Sequence, residues 1–272
     1  MAATVSSHRQ SAFTLVELLV VIAVISSLMT MVTPVMSRAR AGARQVKCSG
    51  NLRQLGPAWQ LYADDYRGLC MPQVWFTVSP YIYWWGEYTD PPNYAEGLLY
   101  PYLGGDERQA DFDPNRDNVF ECPEQSWGTY VPQGAGRHPT TTYGYNGLYL
   151  CPPHSGWDFA MAGANAHWKA IDEIESPSQV FVFADTLLDF GSFHKNNCLL
   201  DGPQTPVGGG NWMDNSKPTL CFRHRGRACV FFADSHLEVL SKDHATLTSP
   251  ALNIGYVGAN NAPHYVPDWQ KW

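Results

Sequence analysis

One stretch constrains this chain more than any other. From Phe13 to Thr33 it reads FTLVELLVVIAVISSLMTMVT, 21 residues with a single charge, Glu17. As a helix the stretch spans roughly 30 Å, the thickness of a bilayer's hydrocarbon core. A secretory signal peptide has a basic start, an apolar run of ~7–15 residues and a small-residue cleavage site. Here the run is longer, it starts abruptly behind the polar leader MAATVSSHRQSA, and no clear A-x-A site follows. A plain anchor leaves Glu17 unexplained. A carboxylate in an apolar helix costs a few kcal/mol at mid-membrane, less near an end, and points to function. If the chain were cut before Phe13, a new cationic amine would lie one helical turn from Glu17. A neighbouring chain's amine is the other available partner, and pairing in lipid is favoured over leaving the charge alone.

Composition limits the remainder. The 272 residues are 44% hydrophobic and 16% charged, which excludes a disordered chain, and mean hydropathy of −0.27 excludes a polytopic membrane protein. The net charge of −7 argues against nucleic acid as a partner. It is unevenly spread: residues 1–60 carry +5 and residues 61–272 carry −12.

The run Ala12-Phe13-Thr14-Leu15-Val16-Glu17-Leu18-Leu19 followed by apolar residues resembles the prepilin cleavage and methylation motif of type IV pilins and type II secretion pseudopilins. The resemblance implies cleavage between Ala12 and Phe13 by a prepilin peptidase, usually with N-methylation. It also implies an assembly role for Glu17, a helix bend at Pro34, and other pilin or pseudopilin subunits as partners. Ala12 stands where glycine is usual. The implied organisation is a leader over 1–12, a long helix over 13–67 with 13–33 in the membrane or fibre core, and a head over 68–272. The implied location is a single pass through the inner membrane, with the head in the periplasm or outside the cell. Arg38, Arg40, Arg44 and Lys47 follow the apolar run, and by the positive-inside rule they would hold the head in the cytoplasm. The motif is more specific than a charge count, so the head is expected outside, with those basic groups meeting acids of neighbouring subunits.

Beyond Pro34, Leu52, Leu55, Trp59, Tyr62 and Tyr66 recur at helical spacing and make one apolar stripe, with Asn51, Arg53, Gln54, Asp64 and Asp65 on the polar face. Gly56-Pro57 predicts a bend and Arg67-Gly68 an end. The stripe is expected to join the core of the head. Later apolar stretches are short. Gln179–Asp185, Thr219–His224, Ala228–Asp234 and His236–Leu240 read as strands, and Arg225-Gly226 reads as a hairpin turn between the second and third. Short helices are expected near Ala95–Leu103 and Trp168–Glu175. The fold class is α+β: one long helix, then an antiparallel sheet with long loops.

Further stretches extend the resemblance to a large pseudopilin-like group. They are Cys48–Leu55 (CSGNLRQL), Tyr62–Asp65 (YADD), Phe120–Pro123 (FECP), Tyr143–Gly147 (YGYNG) and Val182–Asp185 (VFAD). The group is named for a C-terminal H-X9-DG motif. Here nine residues separate His224 from Asp234, with Ser235 in place of the glycine.

Four features invite a chemical reading. His224 and Asp234 are expected on adjacent strands of one hairpin. If Asp185 ends a neighbouring strand, two carboxylates and an imidazole meet, a candidate metal or ligand site to which His236 could add; a hydrogen-bonded structural network is the favoured alternative. Asp111, Asp113, Asn115 and Asp117 form a D-x-D-x-N-x-D run that suits Ca²⁺, although the loop lacks the glycine and glutamate of an EF-hand and a solvated acidic loop is the alternative. Seven cysteines form no C-x-x-C pair. The exported head that the resemblance implies would permit a disulfide, with Cys48–Cys122 the first choice and Cys221–Cys229 a cross-hairpin option. The aromatic stretch Trp75, Tyr81, Tyr83, Trp84, Trp85 and Tyr88 reads as core and subunit contact, or in a rival reading as an anchored carbohydrate-binding or adhesive surface. No G-x-S-x-G, H-E-x-x-H or P-loop is present, so a structural subunit rather than an enzyme is expected.

Overall fold

The computed structural model describes residues 15–75, 81–89, 92–104, 118–125, 140–152, 167–192, 194–207 and 210–271. The fold is α+β. Helix α1 runs over Leu15–Asp65. The residues up to Gly42 form one compact unit and Ala43–Trp272 a second, so the head begins inside the helix rather than after it.

In the first unit, the large apolar side chains from Leu15 to Met36 are exposed. In the second unit the same helix is a wall of the core, with Cys48, Leu52, Leu55, Ala58, Trp59, Tyr62 and Ala63 buried. Tyr66 ends the expected stripe half exposed, its ring stacked on Tyr62 at 4.2 Å. Asn51, expected on the polar face, is buried instead. Its amide donates to the Glu121 carbonyl at 2.9 Å and to the Tyr143 hydroxyl at 3.2 Å, which offsets the cost of burying it. The helix continues through Gly56-Pro57. Gly56 serves close packing there: a Cβ would lie 2.0 Å from the Phe231 ring. The helix stops where Arg67 and Gly68 take φ of 59° and 83°, and the Gly68 N–H reaches back to the Ala63 carbonyl at 2.7 Å.

The strands in chain order begin with β1 (Val74–Trp75), β2 (Ile82–Tyr83) and β3 (Gly86–Glu87), a small antiparallel sheet. Next come β4 (Tyr143–Tyr145) and β5 (Phe181–Asp185), then two hairpins, β6 (Leu188–Asp189) with β7 (His194–Lys195) and β8 (Gln204–Pro206) with β9 (Trp212–Asp214). The last are β10 (Leu220–Cys221), β11 (Arg227–Phe232), β12 (Leu237–Ser241), β13 (Leu247–Ser249) and β14 (Ile254–Gly255). The main sheet has the order β12-β11-β5-β4, all antiparallel. Its central strand FVFAD is buried at every position, whereas the edge strand LEVLS is partly open, as burial on two faces or one requires.

Arg225 and Gly226 both take positive φ, 58° and 82°, the pattern of a type I′ turn. The expected pairing across that turn does not follow. β10 pairs with β14, while β11 pairs with β12 and β5. The expected helices near Ala95–Leu103 and Trp168–Glu175 are single 3₁₀ turns over Tyr94–Glu96, Tyr100–Leu103 and Ile171–Glu173.

Candidate functional site

In the first unit the candidate site is the helix surface itself. Leu15 is 79% exposed and Met31 69%. Each such side chain gains about 1.5–3 kcal/mol on full burial, so a surface of this size calls for a cover. α1 is long and apolar enough to cross a membrane. Its hydroxyls suit that setting: Thr30 Oγ1 donates to the Ser27 carbonyl and Thr33 Oγ1 to the Met29 carbonyl, each at 2.7 Å. Glu17 lies in the first turn of α1, where the helix dipole favours an acid. Pro34 lies inside the helix and supplies no N–H to the carbonyl one turn before it. Ala12 and Phe13 lie outside the described residues.

In the head, a buried cluster gathers side chains from five places in the chain. Cys48 comes from α1, Cys122 from the loop at 118–125, Asp185 from the end of β5, His224 from the turn before β11, and Cys229 from β11. All five are buried. Asp185 organises them. One of its oxygens accepts the Cys48 thiol at 3.2 Å. The other accepts the Cys229 backbone N–H at 2.8 Å and lies 3.3 Å from His224 Nε2. That nitrogen is also 3.3 Å from Cys122 Sγ. Arg223 places its guanidinium 3.8 Å from Asp185 and donates to the Thr142 and Thr186 carbonyls. Ser49 Oγ lies 3.4 Å from Cys229 Sγ, and the Tyr143 hydroxyl donates to Cys48 Sγ at 3.4 Å.

The electrostatics follow from burial opposed by these contacts. Burial favours a neutral His224, but hydrogen bonds to Asp185, Cys122 and Cys229 outweigh it and push the imidazole up to about 12. Burial raises Asp185, and the Arg223 charge and the His224 hydrogen bond reverse that, holding the carboxylate below its usual range. Burial drives Cys48 well up. For Cys122 burial acts the same way, but hydrogen bonds from Cys48 and His224 pull it down. Cys229 is lowered by its hydrogen bond to Cys48, against burial. Buried sulfurs without access to solvent are poor nucleophiles for an outside substrate. As ligands they are well placed: Cys48, Asp185, His224 and Cys229 each bring one ligand atom within 4.8 Å of the others.

The expected meeting of His224 with Asp234 does not occur. His224 sits in the turn before β11 and Asp234 just past the strand's end, and the six strand residues between them span roughly 20 Å. Because β5 and β11 are antiparallel, their two terminal aspartates fall at opposite ends of the sheet. Asp185 therefore partners His224, while Asp234 pairs with His236 on the exposed turn into β12. Ser235, at the motif's glycine position, has a φ of 76°, a conformation that glycine adopts without strain and serine does not. Its hydroxyl accepts a hydrogen bond from Gln60.

All seven cysteines are free thiols. Cys48 and Cys122 lie in one cluster, with Cys229 as a third sulfur. Cys221 does not face Cys229: it packs with Leu187 and Ile254 and donates to the Leu252 carbonyl at 3.7 Å, because β10 belongs to another sheet. Arg44, expected to meet acids of other subunits, pairs with Glu124 of its own head. Asp111, Asp113, Asn115 and Asp117 lie outside the described residues. Of the aromatic stretch, Trp84 and Trp85 are core, while Tyr83, Trp85 and Tyr88 line a cleft of about 290 Å³ with Lys195, Asn196 and Asn197.

Sequence reasoning brought Asp185 to His224 and Cys48 to Cys122, but it missed Arg223 and the place of Cys229 in the cluster, and it wrongly added Asp234. The available signal was an acid ending a wholly apolar strand, which needs a partner when buried.

The prokaryotic N-terminal methylation motif matches residues 7–33, and the family described as a protein of unknown function (DUF1559) matches residues 37–171. No curated protein and no solved structure matches the chain. The two matched segments, one long helix and an antiparallel head together make this chain a member of the type IV pilin- and pseudopilin-like proteins, a prepilin with an N-terminal methylation motif.

Proposed function

We propose that the chain is a structural subunit, cut before Phe13 by a prepilin peptidase and built into a pilus or type II secretion pseudopilus with other pilin or pseudopilin subunits. In this reading residues 1–12 are a leader, 13–33 sit first in the inner membrane and then in the fibre core, and the acidic head lies outside the cytoplasm. The observation that carries it is a lone acid, Glu17, in the first turn of a helix whose apolar side chains are exposed. Lipid covers such a surface before assembly and neighbouring helices cover it afterwards. Glu17 then sets register or recruitment by pairing with an N-terminal amine, its own or a neighbour's. The work is assembly through helix packing, not catalysis.

Glu17→Val tests this. Membrane insertion should be unchanged, and recovery of sheared or cross-linked fibre should fall at least tenfold. Fibre at the native level would overturn the role given to Glu17. Mass spectrometry of the native N-terminus should find methylated Phe13, and an intact leader would overturn the processing step. A second reading rests on the cleft of Tyr83, Trp85, Tyr88, Asn196 and Asn197, an aromatic and amide lining suited to a sugar. Glycan binding by the purified protein, abolished by Tyr88→Ala with fibre assembly intact, would favour it.

A further inference from the structure

We propose that Cys48, Asp185, His224 and Cys229 form a closed tetrahedral site for a divalent zinc-class metal ion. Their ligand atoms lie within 4.8 Å of one another, and all four residues are buried. A tetrahedron with bonds of 2.0–2.3 Å has edges of about 3.3–3.8 Å, so the side chains need close by only about 1 Å to take the ion. Whichever Asp185 oxygen ligates, one edge is already formed: Cys48 Sγ lies 3.2 Å from Oδ1 and His224 Nε2 3.3 Å from Oδ2.

Charge balance makes the second argument. Two thiolates and one carboxylate carry three negative charges. A divalent ion and the Arg223 guanidinium, 3.8 Å from Asp185, carry three positive ones. With neutral imidazole, the loaded site has no net charge, which is the condition for burial at low cost. Without an ion, the same groups must share protons to reach neutrality. A disulfide uses two sulfurs and leaves the imidazole and carboxylate unaddressed. Two thiolates, an imidazole and a carboxylate select zinc over calcium or magnesium, which require oxygen ligands. Cys122, 3.3 Å from His224 Nε2, remains a thiol beside the site. The ion would tie α1 to β5, β11 and the turn between β10 and β11 at one point, a structural role distinct from fibre assembly.

The test uses the full chain in detergent, produced with added Zn²⁺ and dialysed into metal-free buffer. Elemental analysis should find about one zinc per chain. Exchange with Co²⁺ should give the intense visible bands of a tetrahedral site and a sulfur-to-cobalt charge-transfer band. Stripping with a chelator should lower the unfolding temperature, and Zn²⁺ but not Mg²⁺ should restore it. Cys229→Ser and Asp185→Asn should lose the ion, and Cys122→Ser should keep it. A folded wild-type chain with no zinc and no Co²⁺ spectrum overturns the site, as does a native disulfide at Cys48. Loss of metal in Cys122→Ser with retention in Asp185→Asn overturns the ligand set. The wild-type measurements stand even if a variant fails to fold.

Discussion

Residues 15–42 and 43–65 belong to one helix, yet they meet opposite surroundings. The first segment is more apolar and buries none of its large side chains. The second is mixed in composition and buries Leu52, Leu55, Trp59 and Tyr62. Hydrophobicity alone therefore does not say where a side chain is covered within its own chain. Patterning does: a segment apolar all round has no preferred face to give a head, whereas a stripe has one. The first segment leaves its cover to lipid or other subunits, and the second obtains it from the sheet.

That contrast can be broken by substitution. The largest expected effect is at Trp59, fully buried with its indole N–H donating to the Tyr145 hydroxyl at 3.1 Å. Trp59→Ala should cost the head about 3–5 kcal/mol in denaturant unfolding, while Ile22→Ala should change it by less than about 0.5 kcal/mol. Equal losses at the two sites would erase the distinction. Next is Gly56→Ala. An added methyl meets the buried Phe231 ring, so a loss of about 1–3 kcal/mol is expected despite alanine's better helix propensity. A gain in stability would show that the ring has room to move. Smallest is Arg44→Ala, beside the boundary at Ala43. Its partly exposed pair with Glu124 should contribute below about 1 kcal/mol, fading in 1 M salt. A larger, salt-insensitive loss would place Arg44 deeper in the head than its exposure indicates.

Much of this was legible in the amino-acid order. The apolar run, the stripe, the strands FVFAD and ACVFF and the Arg225-Gly226 turn are all local patterns. Each depends on residues a few positions apart. The buried cluster was legible only as separate pairs, Cys48 with Cys122 and Asp185 with His224, because its members come together from positions 39 to 74 residues apart in successive steps. Strand order decides that meeting, and no spacing rule encodes it. The nine residues between His224 and Asp234 put a second acid beside the imidazole for the same reason, and only Asp185 is there. An interval of ten along a strand separates its two ends, and the antiparallel neighbour brings Asp185 instead.

The division of α1 has a practical consequence for anyone who wants the head as a soluble fragment. Trimming at residue 68, where the helix has ended, would remove Cys48, Leu52, Leu55, Ala58, Trp59, Tyr62 and Ala63 along with the apolar run, and so strip one wall from the core. Trimming just before Ala43 removes the exposed apolar surface and keeps that wall.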